Sequence, residues 1–333
     1  MRYLITGAAG FIGSNLSSRL LNANQEVLGI DNFSSYYSPK LKEMRYREVS
    51  NSKRFEIINI DLTDLLKTQE IVSNFKPQVI IHLAAQPGVR TPLGQSYQYI
   101  RNNLSAYGNI LQSAVQFKVP GFLYASSSSV YGNSKNLPYS ENDKSIRPIS
   151  IYGATKLANE ILTQPFIAGS QTRARGMRFF TVYGPWGRPD MAYFRIINSI
   201  INGETFHKFG NGKLKRDFTF VDDITEGIEK LAIDLLNQNE GFSDVVNIGG
   251  GSPHSLNDLI ETTSEILGRR IDISKENSNP NDTEYTCADV DLLQNITGIT
   301  PKISLQKGIA ETVKWAKRPD ITKYLSEWVN STN

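Results

Sequence analysis

The stretch Arg2-Tyr3-Leu4-Ile5-Thr6-Gly7-Ala8-Ala9-Gly10-Phe11-Ile12-Gly13 runs a short apolar segment into three glycines. A strand that turns at once into an amphipathic helix with this spacing makes a phosphate cradle. Gly7 supplies the tight turn, Gly10 lets backbone N–H groups reach a pyrophosphate, and Gly13 lets the helix lie close to the strand. Phe11 and Ile12 fall inside the same loop and are expected to line it. Glycine spacing is a weak signal alone, and its context makes it specific. A second apolar run, Val27-Leu28-Gly29-Ile30, ends in Asp31 about 20 residues further on. That carboxylate is placed to accept both ribose hydroxyls of an adenosine and to repel a 2′-phosphate, so NAD is the expected cofactor, with Asn32 beside it.

Strand-like runs at 2–6, 26–31, 54–60, 78–84, 121–126 and 174–182 alternate with helical stretches. This pattern predicts an α/β fold, a Rossmann-type doubly wound parallel sheet with a smaller C-terminal α/β substrate-binding lobe. The expected division is an NAD-binding domain over 1–182, with 218–250 contributing elements, and a substrate lobe from 183–217 and 251–333. The third run closes on Asp61 and Leu62, a usual place for an adenine contact. The fourth closes on Ala84 and Ala85, small enough for a cofactor to approach the backbone. The tail from Leu305 to Trp328 reads as helical. A proline inside a helix removes a hydrogen bond and costs about 3 kcal/mol, so the helix starting near Tyr152 is expected to kink or end near Gln164, just before Pro165.

The 333 residues include 39% hydrophobic and 21% charged side chains, an ordinary globular balance. A net charge of +3 from 36 basic and 33 acidic residues, with no basic run, gives nucleic-acid binding little support. Cys287 is the only cysteine and has no internal disulfide partner, and the three histidines are scattered, so no metal site is expected. The first strand starts at residue 2 and leaves no room for a signal peptide, and no apolar run reaches membrane-span length. The sequence therefore reads as cytoplasmic and without a membrane partner.

Tyr152-Gly153-Ala154-Thr155-Lys156 places a phenol and an ammonium one helical turn apart on one face. A phenol titrates at about 10. A neighbouring lysine and a positive nicotinamide ring would favour the phenolate and make it a usable base. Upstream, the fifth strand-like run ends in Ser126-Ser127-Ser128-Ser129-Val130-Tyr131-Gly132, which puts hydroxyls at the carboxyl end of a sheet strand, where a nicotinamide would sit.

With these four elements in this order, the chain resembles the extended short-chain dehydrogenase/reductase family, in its nucleotide-sugar epimerase and dehydratase branch, from residue 2 to about residue 318. The resemblance implies that Tyr152 is the acid/base, that Lys156 orients the nicotinamide ribose and tunes the phenol, and that Ser127 hydrogen-bonds the sugar hydroxyl. It also implies that Asn103 backs the cofactor. Elimination and decarboxylation branches carry Thr-Asp-Glu or Thr-Ser-Glu where this chain has Ser127-Ser128-Ser129. A missing general acid or base forfeits roughly 10²–10⁴-fold in rate, which leaves epimerisation through a 4-keto sugar.

Three segments narrow the substrate: Asp31 to Tyr37, Ala84 to Arg90, and Arg178-Phe179-Phe180-Thr181-Val182-Tyr183-Gly184-Pro185-Trp186-Gly187-Arg188-Pro189-Asp190-Met191. Together they resemble the group acting on UDP-glucuronate. The resemblance implies that Thr181 and Arg188 bracket the C6 carboxylate and that Arg216, in Lys215-Arg216-Asp217, holds the diphosphate. Pro87, Arg90, Ser128 and Ser129 would line the sugar pocket. Near the uridine the chain has Asn279-Pro280-Asn281-Asp282 where the family carries an arginine or glutamine first, so only Asp282 is carried over there. The expected partner is a UDP-sugar, and the product would serve polysaccharide biosynthesis. Competing readings are a 4-epimerase of neutral UDP-hexoses or UDP-N-acetylhexosamine(uronate)s, and an NAD-binding regulatory protein without catalysis. The resemblance also implies a homodimer, with helices at about 96–117 and 152–164 pairing with their copies as a four-helix bundle.

Overall fold

Strand β1 (Arg2–Thr6) hydrogen-bonds β2 (Glu26–Asp31) on one side and β4 (Val79–His82) on the other. The computed structural model describes residues 1–88, 94, 96–277 and 283–332. Further strands are β3 (Phe55–Asn59), β5 (Gly121–Ser127) and β6 (Arg173–Phe179). They are followed by β7 (Thr181–Tyr183), β8 (Phe206–Phe209), β9 (Lys215–Phe220), β10 (Ser243–Ile248), β11 (Pro253–Ser255) and β12 (Ile273–Glu276). Seven of these form one parallel sheet in the order β10-β6-β5-β4-β1-β2-β3. The order reverses between β1 and β4, which opens a crevice at the carboxyl ends of those strands.

Helices cover both faces of the sheet. Alternating residues explain why: Tyr3 and Ile5 point one way and Leu4 the other, so each strand feeds two cores. On one face pack α1 (Phe11–Asn22) and α8 (Val221–Leu236), through Leu16, Leu20, Ile224 and Leu231. The opposite face takes α3 (Leu65–Phe75), α5 (Ala106–Gln116) and α6 (Ile151–Ile167), through Val72, Tyr107, Ile110 and Ile167. Beyond the strand ends a second core gathers α2 (Pro39–Val49), α7 (Ala192–Asn202), α9 (Leu256–Leu267), α11 (Leu305–Ala316) and α12 (Pro319–Thr332) around the β7, β9 and β11 sheet. The short α4 (Ser96–Tyr99) leads through a π-helical turn, Ile100–Ser105, into α5, and α10 (Asp291–Thr297) packs on α8. No described helix is long and apolar enough to cross a membrane.

Three sequence expectations need correction. The run 174–182 is not one strand. The main ladder ends where Ser127 pairs with Phe179, the Phe180 N–H donates to the Ile248 carbonyl, and Thr181 starts a new pairing with Phe218. Strand β10 lies outside all the expected strand runs, because only Val245, Val246 and Ile248 of its residues are apolar. Helix α6 runs past Pro165 to Ile167. Proline sits in its last turn, and the Ile161 carbonyl deprived of a donor belongs to a residue 65% exposed, where water can satisfy it.

Arg45 of α2 is 1% exposed and has no carboxylate partner among the described residues. Its guanidinium donates instead to the carbonyls of Ala9 (3.2 Å), Trp186 (2.9 Å) and Gly187 (3.1 Å), and to the Tyr37 hydroxyl. The glycine loop and the loop after β7 are thereby joined through one buried cation.

His82, at the end of β4, is also buried, its Nδ1 2.8 Å from Thr6 Oγ1 and its ring edge-on to Tyr107. Burial, helped by the Lys156 charge, pushes its pKa down to about 3. The unfolded chain takes up that proton near pH 6.5. Between these values the unfolded state binds one more proton, so stability falls with acidification, by about 1.4 kcal/mol per pH unit. Urea unfolding between pH 6.5 and 5 should show this slope, and His82→Asn should flatten it; an unchanged slope would reject the assignment.

Candidate active site

The crevice at the switch point is a cleft of about 880 Å³ that reaches from the glycine loop to Arg216. Its floor is built for close backbone approach. Gly7 has φ of +70°, and a Cβ on Gly13 would stand 2.2 Å from the Gly7 carbonyl oxygen, one on Gly10 2.9 Å from the same atom. Gly10 precedes α1 without any side-chain cap, so the first N–H groups of that helix, at its positive end, are left for an anion. Phe11, Ile12 and Gly13 line the cleft beside them. This glycine floor, which any side chain would fill, fits the pyrophosphate of a dinucleotide.

At the adenosine end, Asp31 is 7% exposed and accepts the Ala9 N–H (3.1 Å) and the Phe33 N–H (2.8 Å). Lys42 Nζ stands 3.6 Å from its Oδ1, and both side chains are almost fully buried. Asn32 bonds Asp61, whose carboxyl lies below its ordinary range: burial pushes it up, but Thr63 and the Arg101 charge outweigh that. Leu62, Ala84, Ala85 and Pro87 line the wall. Asn103 lies behind it in the π-helical turn. Its side chain accepts from the Gln86 N–H (2.7 Å) and donates to the Gln86 carbonyl (3.1 Å) and to Thr155 Oγ1 (3.1 Å). It therefore fixes the 84–87 loop against α6, and the extra residue of a π turn is what aims it there.

The chemistry-bearing residues meet at the far end of β5. Tyr152 and Lys156, one turn apart on α6, both line the cleft with Ser127, Ser128 and Ser129. The Ser127 hydroxyl favours the Tyr152 phenolate; its Oγ donates to Ser129 Oγ (3.1 Å) and receives the Ser129 N–H (3.1 Å), which closes the short turn after β5. Lys156 is 1% exposed and donates to the Ala125 carbonyl at 2.8 Å; burial pushes its pKa down to about 8. The phenol of Tyr152 is pushed above its ordinary value by burial, against which the Arg188 charge and the Ser127 bond act. Lys156, to which the resemblance gives a share in tuning the phenol, has its Nζ 5.8 Å from the ring centre and bonded to the Ala125 carbonyl. The charge of Arg188, across the cleft, favours the phenolate.

Thr181, Arg188 and Arg216 line the same cleft on the substrate side. Arg188 is not a free fork. Its Nε and Nη2 donate to Asp190 Oδ1 and Oδ2 at 3.0 and 2.8 Å. Arg90 and Asp282 lie outside the described residues. Residues that the sequence reading missed include Lys42, which reads as one more basic residue on the charged face of α2, and Asp190, which reads as part of a loop motif. Tyr99 is another: its hydroxyl donates to the Pro87 (3.0 Å) and Gly88 (2.9 Å) carbonyls while its ring meets that of Tyr152 edge-on. Glu160 is the fourth. Buried on α6, it accepts from Ser126 and pairs with Arg178 at 2.8 Å, so a buried ion pair underpins the serine strip. Only the apolar spacing of α6 around it could have signalled that Glu160 faces inward.

The family model described as the NAD dependent epimerase/dehydratase family matches residues 3–249. A probable UDP-glucuronate 4-epimerase of Rhizobium meliloti (strain 1021) is 37% identical over 330 residues, covering 95% of this chain and 96% of that protein. The UDP-glucuronate 4-epimerase of Thermodesulfobacterium geofontis (strain OPF15) is 35% identical over 316 residues, covering 95% and 96%. Among solved structures, the UDP-glucuronic acid 4-epimerase from Bacillus cereus in complex with UDP-glucuronic acid and NAD superposes with a TM-score of 0.88, at 33% identity over 95% of this chain and 99% of that one.

A methyl group at Gly13 should close the cradle. Protein purified without added cofactor is expected to release NAD, not NADP, when denatured, and Gly13→Ala should release none while still unfolding cooperatively. Release of NADP, or undiminished NAD from the variant, would contradict the reading of Asp31 or of the loop.

Proposed function

The chain belongs to the NAD dependent epimerase/dehydratase family, and from that membership we propose that it interconverts UDP-glucuronate and UDP-galacturonate by inversion at C4. The observation that carries the reading is the meeting of Tyr152, the carboxylate-free serine strip and the Arg188 guanidinium in one cleft. NAD, held by the glycine loop and Asp31, would supply a reversible two-electron acceptor for the C4 hydrogen. The protein's part is to move one proton and hold the sugar. Tyr152 takes the O4 proton as C4 becomes a ketone and returns it to the same oxygen on reduction. Ser127, whose hydroxyl favours the phenolate, is the residue we assign to hold O4 through both steps. Lys156, which lines the cleft one helical turn from Tyr152, is the residue we assign to the ribose hydroxyls of the cofactor.

A C6 carboxylate next to a 4-ketone is a β-keto acid, which loses CO₂ readily once its charge leaves polar surroundings. Arg188 and Thr181 are the donors we assign to that carboxylate, and Arg216 to the diphosphate, since an arginine fork suits both anions. We assign the uridine contacts to the segment around 283–286, since Thr283 and Thr286 also line the cleft. In this reading residues 1–182, with 218–250, hold the cofactor, and 183–217 with 251–333 hold the sugar nucleotide. The cytoplasmic setting and the link to polysaccharide biosynthesis expected from the sequence belong to the same proposal.

We also propose a homodimer. Helices α4 and α6, with the π turn after α4, leave Tyr97, Ile100, Ile161, Leu162 and Phe166 exposed at 40% or more. Two copies of that surface, joined about a twofold axis, would bury it as a four-helix bundle. Light scattering at micromolar concentration should give twice the chain mass, and a monomer would reject this assembly.

Proton NMR of UDP-glucuronate with purified protein and no added cofactor should show UDP-galacturonate accumulating. Arg188→Ala should cost about 1.5–3 kcal/mol of hydrogen bonding to a charged group, roughly ten- to a hundredfold in binding or rate, and raise a UDP-pentose by-product relative to epimer. Unchanged uronate turnover and product ratio would put the carboxylate elsewhere. Conversion of neutral UDP-hexoses with none of uronates would replace the substrate assignment.

A further inference from the structure

Arg188 already has a carboxylate. Asp190 grips its Nε and Nη2 edge through both oxygens, at 3.0 and 2.8 Å, and both residues line the cleft with Tyr152 and Thr181. The remaining nitrogen, Nη1, donates to no described residue. Two acceptors thus share one guanidinium once a uronate binds: one from the protein, one from the ligand. Arg188 is the more enclosed partner, its side chain 22% exposed, and Asp190 the more open, at 45%.

Inversion at C4 imposes a motion on that ligand. A cofactor bound in one pose presents a single face, so the oxidised sugar must offer C4 first from one side and then from the other. C6 is carried on the same ring as C4. When the ring turns over, its carboxylate cannot stay on the donors it started on. A grip on the carboxylate strong enough to bind the substrate would then also hold back the step between oxidation and reduction. A guanidinium left without any acceptor in this enclosed site would add a further penalty.

We propose that Asp190 makes Arg188 a releasable clamp: it holds the guanidinium while the sugar carboxylate is away and weakens the arginine's hold on that carboxylate when it returns. The inference rests on the uronate reading above. Asp190 is a positioning residue in this scheme, since it acts on the substrate only through Arg188. Its more exposed carboxylate can turn to water when the ligand takes the shared edge, so partner exchange needs no buried, unpaired charge at any stage. Nη1 offers the incoming carboxylate a first contact before Asp190 lets go.

The test is Asp190→Asn, which keeps shape and hydrogen bonding and removes the competing charge, with Asp190→Ser as a second variant that removes the fork itself. Calorimetry of the NAD-loaded protein should show UDP-glucuronate bound about tenfold more tightly by both variants, while UDP-glucose affinity stays the same. In steady state KM should fall and kcat should fall with it, because the ring turns over more slowly. Weaker uronate binding, or unchanged affinity and kcat in both variants, would overturn the clamp and leave Asp190 as a prop for the loop. A wild type that neither binds nor converts UDP-glucuronate would instead sink the substrate reading on which it stands.

Discussion

The cleft depends on a cation that does not line it. The guanidinium of Arg45 is buried between the glycine loop and the loop carrying Arg188, and it is satisfied by peptide carbonyls and a phenol, with no carboxylate among the described residues. Each of those carbonyls would otherwise be a buried acceptor without a donor, at about 1–3 kcal/mol apiece. One side chain therefore fixes the cofactor floor and the substrate wall as a single unit. Lysine could not replace it, since one ammonium cannot reach three carbonyls on two loops with a planar fan of donors. The main sheet supplies β1 and its glycines, the second core supplies Trp186 and Gly187, and α2 carries the arginine that measures the gap between them.

Within that frame, burial acts on the two central groups in opposite directions. It raises the Tyr152 phenol and lowers the Lys156 ammonium, so that both lean toward the neutral form. The phenol gains its counterweight from Ser127 and Arg188. The residue assigned to the sugar carboxylate is thus also a source of the field at the base, and the two jobs interfere: a bound uronate takes up part of the charge that favours phenolate. Glu160 and Arg178 below the serine strip give Ser126 a fixed, charge-paired anchor, which keeps Ser127 in line with the phenol while charges shift above it.

Much of this was legible in the sequence because the constraints were local. Glycines at 7, 10 and 13 act through steric exclusion, and a period of four on one helix sets Tyr152 beside Lys156; such features need no tertiary knowledge. Asp31 at the end of its strand, and the serines at the end of theirs, follow from the rule that ligands sit at carboxyl ends of parallel strands. What escaped the reading was set across distant segments. Lys42 faces Asp31 only because α2 folds back over β2, and Arg45 finds its carbonyls only when residues 9 and 186 come together. The break at Phe180 depends on which strand, β5 or β9, has ladder left to offer. Pro165 does not end its helix, because the rule against proline holds for helix interiors and lapses in a last turn open to water.

The buried pair of Asp31 and Lys42 bears on how this cofactor preference could change. A carboxylate at the ribose usually stands as a barrier to a 2′-phosphate, and its loss alone leaves a merely neutral pocket. Here the barrier carries its own counter-charge, 3.6 Å away and almost wholly out of water. Exchange of Asp31 for a small neutral residue would remove the repulsion and, in the same stroke, unmask an ammonium with nothing to neutralise it. A doubly charged phosphate would be the natural group to do so. One position therefore holds both the barrier to a 2′-phosphate and the counter-charge of the cation that would receive it.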